Sequence, residues 1–396
     1  MQGEDDEPLT PAGRLFLQPE MNQIIHCVIG LKKPIDVDSV KTQIQNSVML
    51  QHPRFTSLMV RDHRGVEHWR PIKIDLDRHI FIINNESVSE DKDDESAISE
   101  YMSDLCTESK LSMDKPLWEM HILRAHKCII FRIHHSLGDG ISLMSMLLAG
   151  CGEGVDLWPR KIATATFSLE HMKTVKNAVP NATINDVLFA VISSGISRYL
   201  DFREPNGLQD GVQLTGLAMV NLRKQPGLQE LSNLMKSNSG AKWGNKFGLF
   251  LLPIYYHRSN SSDPLEYLKR AKVMIDRKKR SLEAHLSYKI GDLVMSTLGP
   301  KFASLLNYRI LCNTTFTISN VVGPQEEIMI GGNPITFLRA NNSALPHALV
   351  LNMVSYAGKA DMQVQVAKDI IPDPEFLAKC FEDALLEMKE QVTTKI

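Results

Sequence analysis

A helical period shows first near the start of the chain. Val40, Ile44 and Val48 recur four residues apart, which predicts a helix over 38–48 with one apolar face, Asp38 as its cap and Pro53 closing it. Farther on the period shortens to two. The runs 118–124 and 128–134 read as strands separated by Ala125, His126 and Lys127, the spacing of a hairpin with a three-residue loop. If 128–135 is extended, Ile129, Phe131, Ile133 and His135 share one face, and Ile130, Arg132 and His134 share the other. The two adjacent histidines then point apart.

In the second half the pattern predicts a helix over 185–200 and β-like runs at 212–221, 247–257, 313–320 and 348–356. A last helix follows Pro374, with Leu377, Phe381, Leu385 and Met388 on one face. No internal repeat is visible, so solenoids and propellers are excluded and mixed α/β or α+β layers remain. Gly150, Gly152 and Gly154, followed by Pro159, mark 150–161 as the boundary between a unit over 1–155 and another over 156–396. A chain of 396 residues has room for two or three domains.

Charge removes some functions. With 44 Lys and Arg against 46 Asp and Glu, nothing global attracts nucleic acid. Between Asn84 and Glu100 the chain is acidic, which predicts a loop or an exposed helix start. The six cysteines (Cys27, Cys106, Cys128, Cys151, Cys312 and Cys380) include no CxxC pair, which argues against a structural zinc site and for a reducing compartment. The opening residues Glu4, Asp5, Asp6, Glu7 and Pro8 do not read as a secretory signal, and the longest apolar runs, 141–152 and 187–197, are too short to span a membrane.

Candidate chemistry concentrates at His134-His135-Ser136-Leu137-Gly138-Asp139-Gly140. An imidazole at the end of an apolar strand, followed by a glycine-rich turn, is placed to act as a general base near neutral pH. For one histidine alone the competing reading is a buried ring satisfied by a backbone carbonyl. Asp139 could cap a helix over 141–149, and a metal held by His135 and Asp139 lacks a third ligand at a familiar spacing. Thr315, Thr317 and Ser319 fall on one face of the run at 313–320. Thr183, three residues before Asp186, approximates a capping box.

Four ordered motifs carry a resemblance. Pro116-Leu117-Trp118, HHSLGDG, Asn185-Asp186 and Ser319-Asn320-Val321-Val322-Gly323-Pro324 resemble PLW, HHxxxDG, ND and SNVxGP of the plant branch of the wax ester synthase/diacylglycerol acyltransferase family. The resemblance implies a two-domain chloramphenicol acetyltransferase-like fold for coenzyme A-dependent acyl transfer, with the site in a tunnel at the domain interface. It implies that His135 is the base that deprotonates an alcohol attacking the acyl-coenzyme A thioester, with no covalent acyl-enzyme. That agrees with the absence of a GxSxG elbow. Asp139 would make a structural ion pair and Gly140 would leave room for substrate. His134, Thr317, Ser319, Asn320, Asn185 and Asp186 would support the site, and Pro116, Leu117 and Trp118 would line the acyl tunnel, with core packing the competing reading for Trp118.

Acyl-coenzyme A enters this picture as substrate, with no cofactor and no metal; the acceptor would be a long-chain alcohol or diacylglycerol. Membrane-surface association, on the cytosolic face of the endoplasmic reticulum or plasma membrane, is also implied. Two rivals are a condensation-type enzyme using carrier-bound acyl groups and a non-catalytic acyl-coenzyme A-binding protein. One departure is evident: plant members usually carry a long apolar insertion between the halves, whereas about a dozen residues separate Gly150 from Lys161. Seven basic residues and one acid lie between Lys269 and Arg280, opposite Leu265, Leu268, Ile275 and Leu282. They could face water, anionic headgroups or coenzyme A phosphates. For the apolar residues that follow, Leu286, Ile290, Leu293, Val294 and Leu298, core packing is the expectation and an amphipathic membrane surface the alternative.

Overall fold

A computed structural model describes residues 7–83, 93–107, 111–138, 159–205, 208–222, 247–258, 263–342 and 346–394. Asp139, Gly140, the expected helix over 141–149 and the expected boundary through residue 158 lie outside them. The first part contains β1 (Glu7–Pro8), α1 (Pro11–Leu15), β2 (Ile24–Leu31), α2 (Val37–Gln45), α3 (Val48–Gln51), β3 (Ser57–Arg61), β4 (Glu67–Pro71) and β5 (Ile80–Ile83). It continues with α4 (Asp94–Thr107), β6 (Trp118–Leu123) and β7 (Cys128–His134). The second part opens with β8 (Arg160–Ser168), α5 (Leu169–Asn177), α6 (Ile184–Arg203), β9 (Gln213–Asn221) and β10 (Phe247–Tyr255). Three consecutive helices follow, α7 (Pro264–Arg280), α8 (Glu283–Thr297) and α9 (Gly299–Cys312). The chain closes with β11 (Phe316–Val322), β12 (Met329–Ile330), β13 (Asn333–Asn342), β14 (Leu349–Tyr356), β15 (Lys359–Ala367) and α10 (Pro374–Thr394).

Two mixed six-stranded sheets carry the fold, in the orders β12-β13-β2-β7-β6-β5 and β10-β9-β11-β14-β15-β8. The first is not built from the first half alone. Strand β13, expected in the unit over 156–396, pairs antiparallel with β2, so the second half completes the N-terminal sheet. Apolar residues on one face of the C-terminal sheet pack against α5, α6, α7 and α10, forming the larger core; Leu377, Phe381, Leu385 and Met388 are all buried in it. In the N-terminal sheet Ile129, Phe131 and Ile133 join one core while Cys128 and Ile130 join another against α4, which is the two-face alternation of the strand.

Local chemistry shifted several boundaries. The cap of α2 is Asp36, whose carboxylate accepts from the amides of Asp38 and Ser39; the helix ends at Gln45 and Val48 opens a separate turn. The β6–β7 loop has four residues, since Leu123 pairs with Cys128. Within the acidic stretch, 94–100 begin α4, where Asp93 accepts from the amide and hydroxyl of Ser96, and 84–92 lie outside the described residues. Asn313 terminates α9, so β11 starts only at Phe316 and Thr315 stands exposed before it.

Candidate active site

Strand β7 delivers the histidine pair to the seam between the two halves. Antiparallel pairing with β2 and β6 fixes its register, and the His134 amide donates to the Leu117 carbonyl at 2.9 Å. The strand ends at His134; His135 lies in the turn that follows, its amide donating to the Gln23 carbonyl at 3.2 Å. The two rings do separate. His134 is fully enclosed, and its Nδ1 accepts from the Ser136 amide at 3.0 Å. Burial, reinforced by the adjacent His135, pushes its pKa down to about 3, so the ring is neutral and braces the turn.

His135 instead faces an apolar cavity. Its ring stacks on Phe16 with centroids 4.0 Å apart, and Phe247 stands 6.1 Å away at a tilt. The cavity measures about 50 Å³ and its walls come from both halves: Phe16 and Met21 from the first, Leu217, Thr317 and Leu311 from the second. Ligand pockets for drug-sized molecules run to several hundred cubic ångströms, so what the described residues enclose at His135 is a chamber for a few waters.

Thr317 is the second expected residue that reaches this chamber. In β11 it pairs with Leu217 of β9 and Val350 of β14, on the face turned away from the larger core. Its buried hydroxyl sits 3.1 Å from Nδ1 of His347, whose Nε2 lies 2.6 Å from the Thr314 hydroxyl. The His347 carbonyl accepts from Arg160 at 2.6 Å, and burial, with a contribution from Arg160, lowers the His347 pKa to about 4. His347 is thus a neutral imidazole that holds the threonine hydroxyl, and its tautomer sets which of the two donates. The sequence pattern missed both Phe16 and His347, because contact across the seam leaves no period in either segment.

The other expected site residues serve the frame. Asn320 donates to the Asn185 side-chain oxygen at 2.7 Å, so two motifs meet each other rather than His135. Asp186 completes the capping box, its carboxylate accepting from the Thr183 amide at 2.6 Å and hydroxyl at 2.8 Å. Ser319 is half-buried and does not line the chamber among the described residues. Gly323 is required by close approach: a Cβ there would stand 2.2 Å from the Ser355 carbonyl oxygen.

Pro116, Leu117 and Trp118 are not among the described residues that line the chamber at His135. Leu117 and Trp118 are fully buried in the N-terminal core; the Trp118 indole donates to the Phe55 carbonyl at 3.0 Å and stacks on His79 at 4.1 Å. Their contribution to the site is the Leu117 carbonyl that holds His134. Among the described residues no group of three or more His, Cys, Asp or Glu is placed to hold a metal ion.

Helix α9 supplies part of the chamber wall, and α8 packs beside it. Helix α8 lies against the edge strand β10, where a Cβ on Gly248 would stand 2.0 Å from the Ala284 carbonyl oxygen and the Ser287 hydroxyl bonds the Leu249 amide at 2.8 Å. Both helices pack on α1. Leu286, Ile290, Leu293 and Leu298, expected in the core, are exposed, and the buried member of α8 is Met295.

The chain was compared with known proteins. Residues 30–154 match the wax ester synthase/diacylglycerol acyltransferase catalytic domain and 243–389 the C-terminal domain of the same family. Wax ester synthase/diacylglycerol acyltransferase 5 of Arabidopsis thaliana is 31% identical over 98% of this chain and 94% of its own length. That alignment runs to 481 positions against 396 residues here, so at least 85 of them have no counterpart in this chain. Among solved structures, the wax ester synthase/diacylglycerol acyltransferase of Marinobacter aquaeolei VT8 superposes with a TM-score of 0.64 at 16% identity, covering 98% of this chain and all of that one. The trichothecene 15-O-acetyltransferase of Fusarium sporotrichioides gives 0.61 at 10% identity, covering 96% and 95%. The architecture is therefore the chloramphenicol acetyltransferase-like one, and this chain is an acyltransferase belonging to the wax ester synthase/diacylglycerol acyltransferase family.

Proposed function

We propose that the chain transfers a fatty acyl group from acyl-coenzyme A to a long-chain alcohol or diacylglycerol, with His135 as general base. As the alcohol oxygen attacks the thioester carbonyl, its proton passes to the imidazole; collapse of the tetrahedral adduct expels the thiolate, which takes that proton back. No covalent acyl-enzyme is required. Thr317 donates to the oxyanion. For its hydrogen to point into the chamber, His347 must donate from Nδ1 to the threonine oxygen and accept at Nε2 from Thr314, whose hydroxyl hydrogen then has to turn away from the Leu311 carbonyl 2.9 Å off.

What carries this proposal is that His135 and Thr317, from opposite halves of the chain, line one apolar chamber. A fatty acceptor is favoured by the lining, which among its described members holds no charged side chain. Asp139 is assigned the loop-holding role and Gly140 the open space beside the base, both by family resemblance. By the same resemblance the enzyme works at the cytosolic face of the endoplasmic reticulum or plasma membrane; no helix among the described residues is long and apolar enough to cross a bilayer. His135→Ala tests the proposal in an assay with labelled acyl-coenzyme A and either acceptor: ester formation is expected to vanish with the circular dichroism spectrum intact. Turnover close to that of the unsubstituted enzyme would remove His135 from the mechanism.

A further inference from the structure

Helices α8 and α9 hide little of their apolar content. In and beside α8, Leu282, Leu286, Ile290, Leu293 and Leu298 are 51–66% exposed; in α9, Phe302, Leu305, Leu306 and Ile310 are 37–50% exposed. The positions 286, 290 and 293, and 302, 305 or 306, and 310, follow the helical period, so each helix presents one continuous stripe rather than scattered side chains. Contiguous exposed apolar surface on this scale marks an interaction face.

The charge around the stripe identifies what covers it. The stretch 277–312 holds seven Lys and Arg (Arg277, Lys278, Lys279, Arg280, Lys289, Lys301 and Arg309) against Glu283 and Asp292, a net of +5 in a chain whose total is −2. Six of the seven are exposed; Lys278 is spent on Glu283 at 2.7 Å. Bulky aliphatic and aromatic side chains flanked by cations match an anionic bilayer, whose headgroups take the charges while the acyl boundary takes the stripe. A neutral protein partner would leave those cations unanswered.

We infer that the outer face of the α8–α9 hairpin docks on an anionic phospholipid bilayer. The other side of α9 contributes Asn307 and Leu311 to the chamber at His135, with Ile310 at the border between stripe and chamber. Docking therefore sets the chamber's outer wall against the phase in which a fatty acceptor dissolves; this last step rests on the acyl-transfer proposal, whereas the docking itself does not.

Co-sedimentation of the full chain with vesicles tests it. The unsubstituted protein should sediment with phosphatidylcholine vesicles containing phosphatidylserine, release as salt is raised, and bind pure phosphatidylcholine at least tenfold more weakly. Leu286→Glu with Leu293→Glu, and separately Phe302→Glu with Leu305→Glu, should each weaken binding at least tenfold with the melting temperature unchanged, since all four side chains face outward. Should either pair disturb folding, Arg277→Gln with Arg280→Gln must reduce binding to the anionic vesicles alone. Unsubstituted protein that stays in the supernatant, or glutamate variants that sediment as well as it does, would overturn the docking face. Equally, a dimer in solution that the glutamates convert to monomer, with no vesicle binding, would assign the stripe to a second copy. Because the readout is binding, an inactive chain that still sediments would count against the acyl-transfer proposal and leave the docking face standing.

Discussion

Two adjacent imidazoles do different work because their neighbours differ. His134 accepts from a backbone amide in a closed core, while His135 stacks on Phe16 beside a chamber that also admits the Thr317 hydroxyl. If that hydroxyl serves the oxyanion, Thr317→Val should lower kcat by roughly 10²–10³-fold, and Thr317→Ser should recover most of the loss. Steady-state kinetics on the two variants decides it. His347→Ala should move kcat in the same direction, by freeing the hydroxyl to rotate. A separate consequence concerns acid. His79, His134 and His347 have pKa values pushed below the ordinary 6.5 chiefly by burial, to about 4, 3 and 4. From about pH 6.5 downwards the unfolded chain therefore binds protons that the folded one refuses, so stability falls as pH drops towards 4 and is level above 7. Denaturant midpoints measured across that range should show this slope; a flat profile would mean that these rings ionise normally. The face of Thr317 was legible, because a two-residue period assigns it, whereas His135 stands in the turn one residue beyond its strand. Phe16 and His347 were not legible, since only the folded seam brings 16 to 135 and 347 to 317.

At the level of elements, the motifs mostly secure helices and strands to one another. Thr183 caps α6 with Asp186 as the return arm of the capping box, and Asn185 ties that turn to Asn320 on β11. Asp186→Ala should cost about 0.5–2 kcal/mol in chemical denaturation, with kcat changed less than by Thr317→Val. Gly323 leaves β11 where the chain passes over Ser355, and a methyl group there meets a backbone carbonyl that cannot swing aside. Gly323→Ala is expected to cost roughly 1–3 kcal/mol, read as a lower urea midpoint at unchanged slope. The capping box was visible in the sequence because its partners are three residues apart. The role of Leu117 and Trp118 was not, since an apolar dipeptide before a strand reads alike whether it lines a tunnel or fills a core. The exposure of α8 and α9 was hidden for a related reason. Their spacing shows an apolar face, and only the packed structure shows that nothing among the described residues lies over it.

Across the whole molecule, the halves are interleaved rather than merely apposed. Strand β13 leaves the second half to join the first sheet, and from it Arg339 donates to Asp361 on β15 at 2.8 Å and to Glu95 on α4 at 2.7 Å. One cation thus connects both sheets and a helix. Arg339→Ala should destabilise the whole chain by roughly 3–5 kcal/mol while keeping a single unfolding transition, because removing it leaves Asp361 buried without its partner. Two transitions in calorimetry would show halves that unfold independently. The mixed α/β class and four of the eight described strands of the second half (β9, β10, β11 and β14) follow from sequence periods, but a crossing strand carries no local mark of the sheet it will join. Interleaving also bears on the chamber, whose described walls join α1, Met21, Gln23 and His135 of the first half to the C-terminal sheet and α9 of the second.

The account turns on a single imidazole at this seam acting as the base. Rate constants for ester formation from acyl-coenzyme A and a long-chain alcohol, compared between the unsubstituted enzyme and His135→Ala at equal folded concentration, test it most directly. A loss of roughly 10²–10⁴-fold with unchanged melting is the predicted result. A variant turning over within a few-fold of the original would contradict it.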